Sequence, residues 1–194
     1  MHHILIIIHI INISNTGHGS IVALARAYPA SLAIFNEMIL WNDAHIDGHT
    51  RRAEVASATG DLKISIESYL RIISLGGETV NVRMMMGTSY FVQKKYKYAL
   101  KEFKNSLELY YKNDQNKNTN KYIPEGENSR TMILSRIGKA YKELGEPLKS
   151  AKILRDALDS GPRSKEILMD LAAVLMEYGN CFIDFIVLIL VFSF

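Results

Sequence analysis

Small and large residues recur along the middle of the chain at offsets that suit paired helices. With a unit beginning at Thr131, Gly138, Tyr141, Gly145, Ser150, Leu154, Ala157 and Pro162 stand at unit positions 8, 11, 15, 20, 24, 27 and 32. A unit beginning at Val80 places Gly87, Tyr90, Ala99, Phe103 and Ser106 at positions 8, 11, 20, 24 and 27. One beginning at Ile46 gives Ala53, Ala56, Gly60, Ser65 and Tyr69 at positions 8, 11, 15, 20 and 24. From Lys165, Leu168, Leu171, Ala172, Leu175 and Gly179 repeat a first helix. Each unit predicts two helices. Small residues at positions 8, 20 and 27 let them approach to about 8–10 Å, and the large residues at 11 and 24 fill the adjoining holes. Glycine at position 15 suits the left-handed turn that ends the first helix, and Pro162 stops a second helix.

The units divide the chain into 46–79, 80–113, 131–164 and the first helix of a further repeat at 165–180. The Val80 and Thr131 units start 51 residues apart, which leaves 17 residues beyond the 34-residue period. That excess, residues 114–130, is rich in Asn and Lys and buries little apolar area, so it reads as a polar loop. Tyr111 and Gly77 stand where a closing proline would fall in the earlier units, and His49 and Arg52 occupy positions usually apolar. Upstream, 21–45 has helical periodicity broken at Tyr28-Pro29, with a second helix expected from about Ala30 to Trp41. It is readable as a degenerate repeat but fits no register without a shift.

A 34-residue helix–turn–helix period with these small and large positions resembles the tetratricopeptide repeat over residues 46–180. The resemblance implies an all-α, right-handed superhelical solenoid of antiparallel helix pairs that binds proteins and catalyses nothing. It also implies a groove lined by first-helix positions 2, 5, 9, 12 and 13. In this chain the groove residues would include Met84, Thr88, Phe91, Met132, Lys139, Met169 and Met176. Methionine adapts to irregular apolar partners, so a peptide or helix is the expected ligand. A chaperone-type carboxylate clamp would need Lys, Asn and Arg where the chain has Thr50, Glu54, Met85, Met132 and Arg136; only Arg136 fits.

The stretch from Trp41 through "ATGDLKISIESY" to "MMMGTSYFVQKKYKYALKEFKNSLELYY" is also similar to a middle segment of subunit seven of the anaphase-promoting complex, as is "YPASLAI" upstream. That likeness implies a scaffold arm of a multi-subunit ubiquitin ligase, acting by homodimer formation and subunit contact in cytoplasm or nucleus during the cell cycle. The alternative is a free-standing adaptor that captures a peptide of a trafficking or ciliary cargo.

Composition changes this picture little. Of 194 residues 48% are hydrophobic, enough for a core, and the net charge is +3 with both signs well mixed. The lysines at 94, 95, 97, 101, 104, 112, 117 and 121 read as a solvated face rather than a nucleic-acid surface. Cys181 is the one cysteine, so no internal disulfide forms. His45 and His49, with Asp43 and Asp47 nearby, have helical metal-ligand spacing. Gly48 weakens that helix and no third ligand is near, so no metal is assigned. "TGHGS" has no strand before it and no lysine after it, so it is no phosphate cradle. No catalytic residue and no cofactor follow from the sequence. Residues 1–20 are apolar but make a poor signal peptide. Residues 181–194 are short of the roughly 20 apolar residues of a span, and a membrane partner is not expected. A tail anchor, a buried capping helix and a non-native end all stay open for that tail.

Overall fold

A computed structural model describes residues 28–115, 130–161 and 164–177. They form eight helices and no strand: α1 (Tyr28–Trp41), α2 (Ile46–Thr59), α3 (Leu62–Ser74), α4 (Val80–Val92), α5 (Tyr96–Gln115), α6 (Arg130–Glu143), α7 (Pro147–Asp159) and α8 (Lys165–Glu177). Two compact units divide between Glu78 and Thr79. In the first, α2 packs against α1 and α3. In the second, each helix from α4 to α8 packs on the next, and α6 also touches α8.

Local chemistry starts these helices where the chain needs them to start. Asp61 accepts from the Ile64 N–H and Thr79 from the Val82 N–H, which satisfies an otherwise orphaned donor at each N-terminus. Pro147 opens α7, where its missing N–H costs nothing. The same reasoning applies to α1. The sequence places its start near Ala30, but the helix begins at Tyr28 because Pro29 is tolerated in a first turn.

The contact within each helix pair of the second unit is made by a glycine and one large side chain. A Cβ on Gly87 would lie 2.6 Å from the Phe103 ring, and one on Gly138 would lie 2.7 Å from Leu154. Phe103 and Leu154 are both fully buried. The Ser150 hydroxyl donates to the Gly138 carbonyl at 2.8 Å, and the Ser106 hydroxyl to the Val80 carbonyl at 3.1 Å. Small residues at these positions thus permit the approach and also pair polar groups inside it. Ala99, Phe103, Ile133, Ile137 and Ala140 form one core cluster, and Leu134, Ala151, Leu154, Ala157, Ile167 and Leu171 belong to the other. Half-buried Tyr90 and Tyr141 pack against the first cluster. In the first unit Ala53, Ala56, Tyr69 and Ile72 are buried, and burial pushes the Tyr69 phenol up to about 12.

Two expectations are corrected by the helices themselves. Upstream of Ile46 the sequence is expected to fit no repeat register without a shift, yet α1 begins one 34-residue period before α3. Buried Ser31 and Phe35 fall at the positions of Ser65 and Tyr69. The register is hidden because Phe35 replaces Tyr at position 24 and Met38 stands where position 27 calls for a small residue. The bounds of the polar loop also move. Asp114 and Gln115 continue α5, and Arg130 opens α6, so both ends of 114–130 are helical. Residues 116–129, with Pro162, Gly179 and the two apolar ends, lie outside the described residues.

First helices end in a left-handed residue at unit position 15. Gly60 has φ 84° and Gly145 has φ 73°, and in the Val80 unit the residue is Lys94, with φ 59°. The Lys95 N–H reaches the Tyr90 carbonyl at 3.0 Å, as the Glu146 N–H reaches that of Tyr141 at 3.0 Å. The same closing hydrogen bonds therefore hold a residue with a Cβ in a conformation that favours glycine.

Replacing Lys94 by Gly should stabilise the protein by about 1 kcal/mol, because a left-handed L-residue costs roughly 1–2 kcal/mol and glycine escapes most of it. A melting temperature that falls would remove this account. Gly138→Ala should have the opposite sign and cost about 1–3 kcal/mol by overpacking against Leu154. Chemical denaturation of both variants measures the two differences directly.

Candidate binding face of the first helices

Helices α4, α6 and α8 carry the positions assigned to a groove, and the structure separates those positions into three kinds. Met84 is only 5% exposed and sits in the core with Ala99, Phe103 and Ile133, so the expectation that it lines an open trough is corrected. It lies on the side of α4 that α5 and α6 cover, where burial of a flexible apolar chain is favourable. Phe91 and Met132 are half-buried and pack against the same cluster. Phe91 also meets Tyr96 edge-on, with centroids 5.2 Å apart. The Thr88 hydroxyl is turned back to the Met84 carbonyl at 2.9 Å. Of the seven residues named for the groove only Met169 and Met176, on α8, are open, at 56% and 58% exposure; Val92, at position 13 of α4, is open as well. Seven residues apart, Met169 and Met176 stand on one stripe of their helix.

Lys139 is the centre of a charged seam between α6 and α8. Its ammonium lies 2.6 Å from Glu166 and 3.2 Å from Asp170. Lys142 reaches Glu177 at 3.0 Å. Burial pulls the Lys139 ammonium down, but hydrogen bonds and charge from Glu166 and Asp170 outweigh it, and the net shift is upward. Lys139 in turn holds the Glu166 carboxyl below its ordinary value, with a smaller contribution from Arg136. Partly exposed pairs of this sort contribute about 0.2–1 kcal/mol each, so the seam's larger effect is to fix which side chains α6 and α8 present. Sequence reasoning missed Asp170. Its signal was available: Glu166 and Asp170, four apart on one helix, bracket a lysine of the preceding first helix.

At the structural positions, Gly87, Ala99, Phe103, Gly138, Leu154 and Ala157 are buried, and Tyr90 and Tyr141 are half-buried. The Tyr90 ring stacks on Tyr98 at 5.5 Å, and burial raises its phenol. Lys104 and Lys149 lie over the Tyr141 ring, at 5.2 and 5.7 Å from its centroid.

The histidine pair does not assemble a metal site. His45 uses Nδ1 to accept the Gly48 N–H at 2.9 Å, capping α2, while the buried His49 ring places Nε2 3.0 Å from the Asp43 carbonyl. Among the described residues no group of three His, Cys, Asp or Glu side chains is placed to hold a metal ion. No helix among them is long and apolar enough to cross a membrane.

No protein-family model matches the chain, and no curated protein matches it by sequence. Solved structures do. One described as MamA is 10% identical with a TM-score of 0.66, over 84% of this chain and 86% of that one. YrrB, described as a TPR protein with an unusual peptide-binding site, is 15% identical with a TM-score of 0.62, over 84% of this chain and 73% of that one. The second TPR domain of human RPAP3, solved with an HSP70 peptide, is 19% identical with a TM-score of 0.52, over 65% of this chain and 91% of that one. With the glycine-mediated helix pairs and the 34-residue steps from α1 to α3 to α5, these likenesses establish that the chain has the all-α fold of the tetratricopeptide-repeat solenoids.

Proposed function

We propose that this chain is a non-catalytic protein-interaction module that takes a peptide or helical segment of a protein partner on the first-helix face of its second unit. The observation that carries the reading is the exposed Met169–Met176 stripe beside the Lys139–Glu166–Asp170 seam. Two flexible apolar side chains left open on a helix, beside charges held in place, match what an amphipathic ligand needs. YrrB and the RPAP3 domain, whose descriptions name peptides, support the class of ligand. The HSP70 peptide itself is not carried over, since Thr50, Glu54, Met85 and Met132 cannot form a carboxylate clamp.

A narrower reading rests on the resemblance of the stretch from Trp41 to Tyr111 to subunit seven of the anaphase-promoting complex. It makes the chain part of a scaffold arm in a ubiquitin-ligase assembly, with a homodimer as the working form. Ligase subunits recovered with the tagged chain would support that reading. Unrelated cargo recovered instead would favour a free-standing adaptor.

Met169→Ala with Met176→Ala should weaken partner capture by about 1 kcal/mol or more for each side chain. Stability should change by only about 0.5 kcal/mol, because both residues are exposed. Lys152→Ala with Arg155→Ala, exposed on α7, is the matched control. Quantitative pull-down together with helical circular dichroism reads both effects. A methionine double variant that keeps every partner, or a control that loses them, would place binding elsewhere.

A further inference from the structure

The turn from α4 to α5 gathers a different kind of surface. No Asp or Glu falls between Glu78 and Glu102, while Lys94, Lys95, Lys97 and Lys101 are all exposed. None of these four is ion-paired with a carboxylate among the described residues. The α6 residue Glu143 lies near enough to the turn to raise the Tyr96 phenol. Interleaved with the lysines are two apolar side chains left in the open, Val92 at 62% exposure and Tyr98 at 61%. Leu148, 64% exposed, lies just after the next such turn, at the start of α7. Leu107 of α5 and Ile153 of α7 each pack on both core clusters, so the two second helices lie against one continuous core.

We infer that the α4–α5 turn, with Val92, Lys95, Lys97, Tyr98 and Lys101, is a peripheral docking surface for a bilayer bearing anionic phospholipid. Charge complementarity selects an anionic partner, because the patch sets four unpaired ammonium groups against the single carboxylate of Glu143. The apolar residues select a bilayer over a phosphate strand. An aliphatic side chain such as Val92 has nothing to contact on a nucleic-acid backbone, whereas at a membrane it enters the headgroup boundary beside a tyrosine suited to that depth. Lysines at the rim then face the negative surface, and their effect decays within a Debye length. No described helix spans a membrane, so the contact is one of adsorption. It is carried by the α4–α5 turn, whereas the Met169–Met176 stripe is carried by α8.

The test is sedimentation of the purified full chain with vesicles of phosphatidylserine and phosphatidylcholine, against vesicles of phosphatidylcholine alone. Binding is expected only to the anionic vesicles, and raising salt from about 50 to 500 mM should release the protein. Lys95→Gln with Lys97→Gln should weaken binding about thirtyfold. The equal-charge control Lys63→Gln with Lys165→Gln should leave it nearly unchanged. Tyr98→Ser should lower affinity at high salt as well as low, since its contribution is apolar. Helical circular dichroism confirms that each variant is folded, and the salt series on the unmodified chain needs no variant. Failure to bind anionic vesicles overturns the inference. So does equal loss in the control, which would reduce the effect to net charge. Capture of a single-stranded oligonucleotide by these lysines without vesicle binding overturns it too.

Discussion

Everything in the second unit depends on how closely its helices approach. At Gly87 and at Gly138 the first helix presents bare backbone to one large side chain of the second, Phe103 or Leu154. With no Cβ in the way, the ring or the isobutyl group settles against the backbone itself, and both are fully buried. Close-packed interiors resist added volume, so this contact sets the distance at which every other pair of side chains must meet. The serine hydroxyls at 106 and 150 reach backbone carbonyls of the facing helix only because the helices are this near.

That spacing also explains how one face differs from the other. Once α5 and α6 close over one side of α4, Met84 is inside, and Phe91 and Met132 are drawn partly in with it. On α8, the last described helix, the equivalent positions carry Met169 and Met176, which remain open. Residues that share a repeat position thus meet different surroundings, because burial depends on what packs across a side chain and not on the position alone. The seam around Lys139 is fixed by the same stacking, which brings two carboxylates of α8 to a lysine of α6.

The turns between paired helices form a second system, little coupled to the packing. All need a left-handed residue, and in one of them the requirement falls on Lys94. Strain of that kind is tolerated where the rest of the structure over-determines the backbone. Here it comes in a turn whose flanking residues are lysines and exposed apolar groups, a composition that packing alone does not call for.

Helix pairing was legible in the sequence because it is a matter of residue size at fixed offsets. Gly138 with Leu154, Gly87 with Phe103, and the glycines at 60 and 145 announce contact and turn without any coordinates. Register at α1 was not legible, since Ser31 and Phe35 become repeat markers only when seen buried against their neighbours. Nor was the division of the methionines into core and surface. A helix wheel gives the direction of a side chain relative to its own axis, whereas burial is decided by what packs across it. The sequence by itself therefore determined the kind of fold and the spacing of its parts. Tertiary structure alone decided which apolar residues were left for a partner, because exposure is what remains after every other surface has been covered.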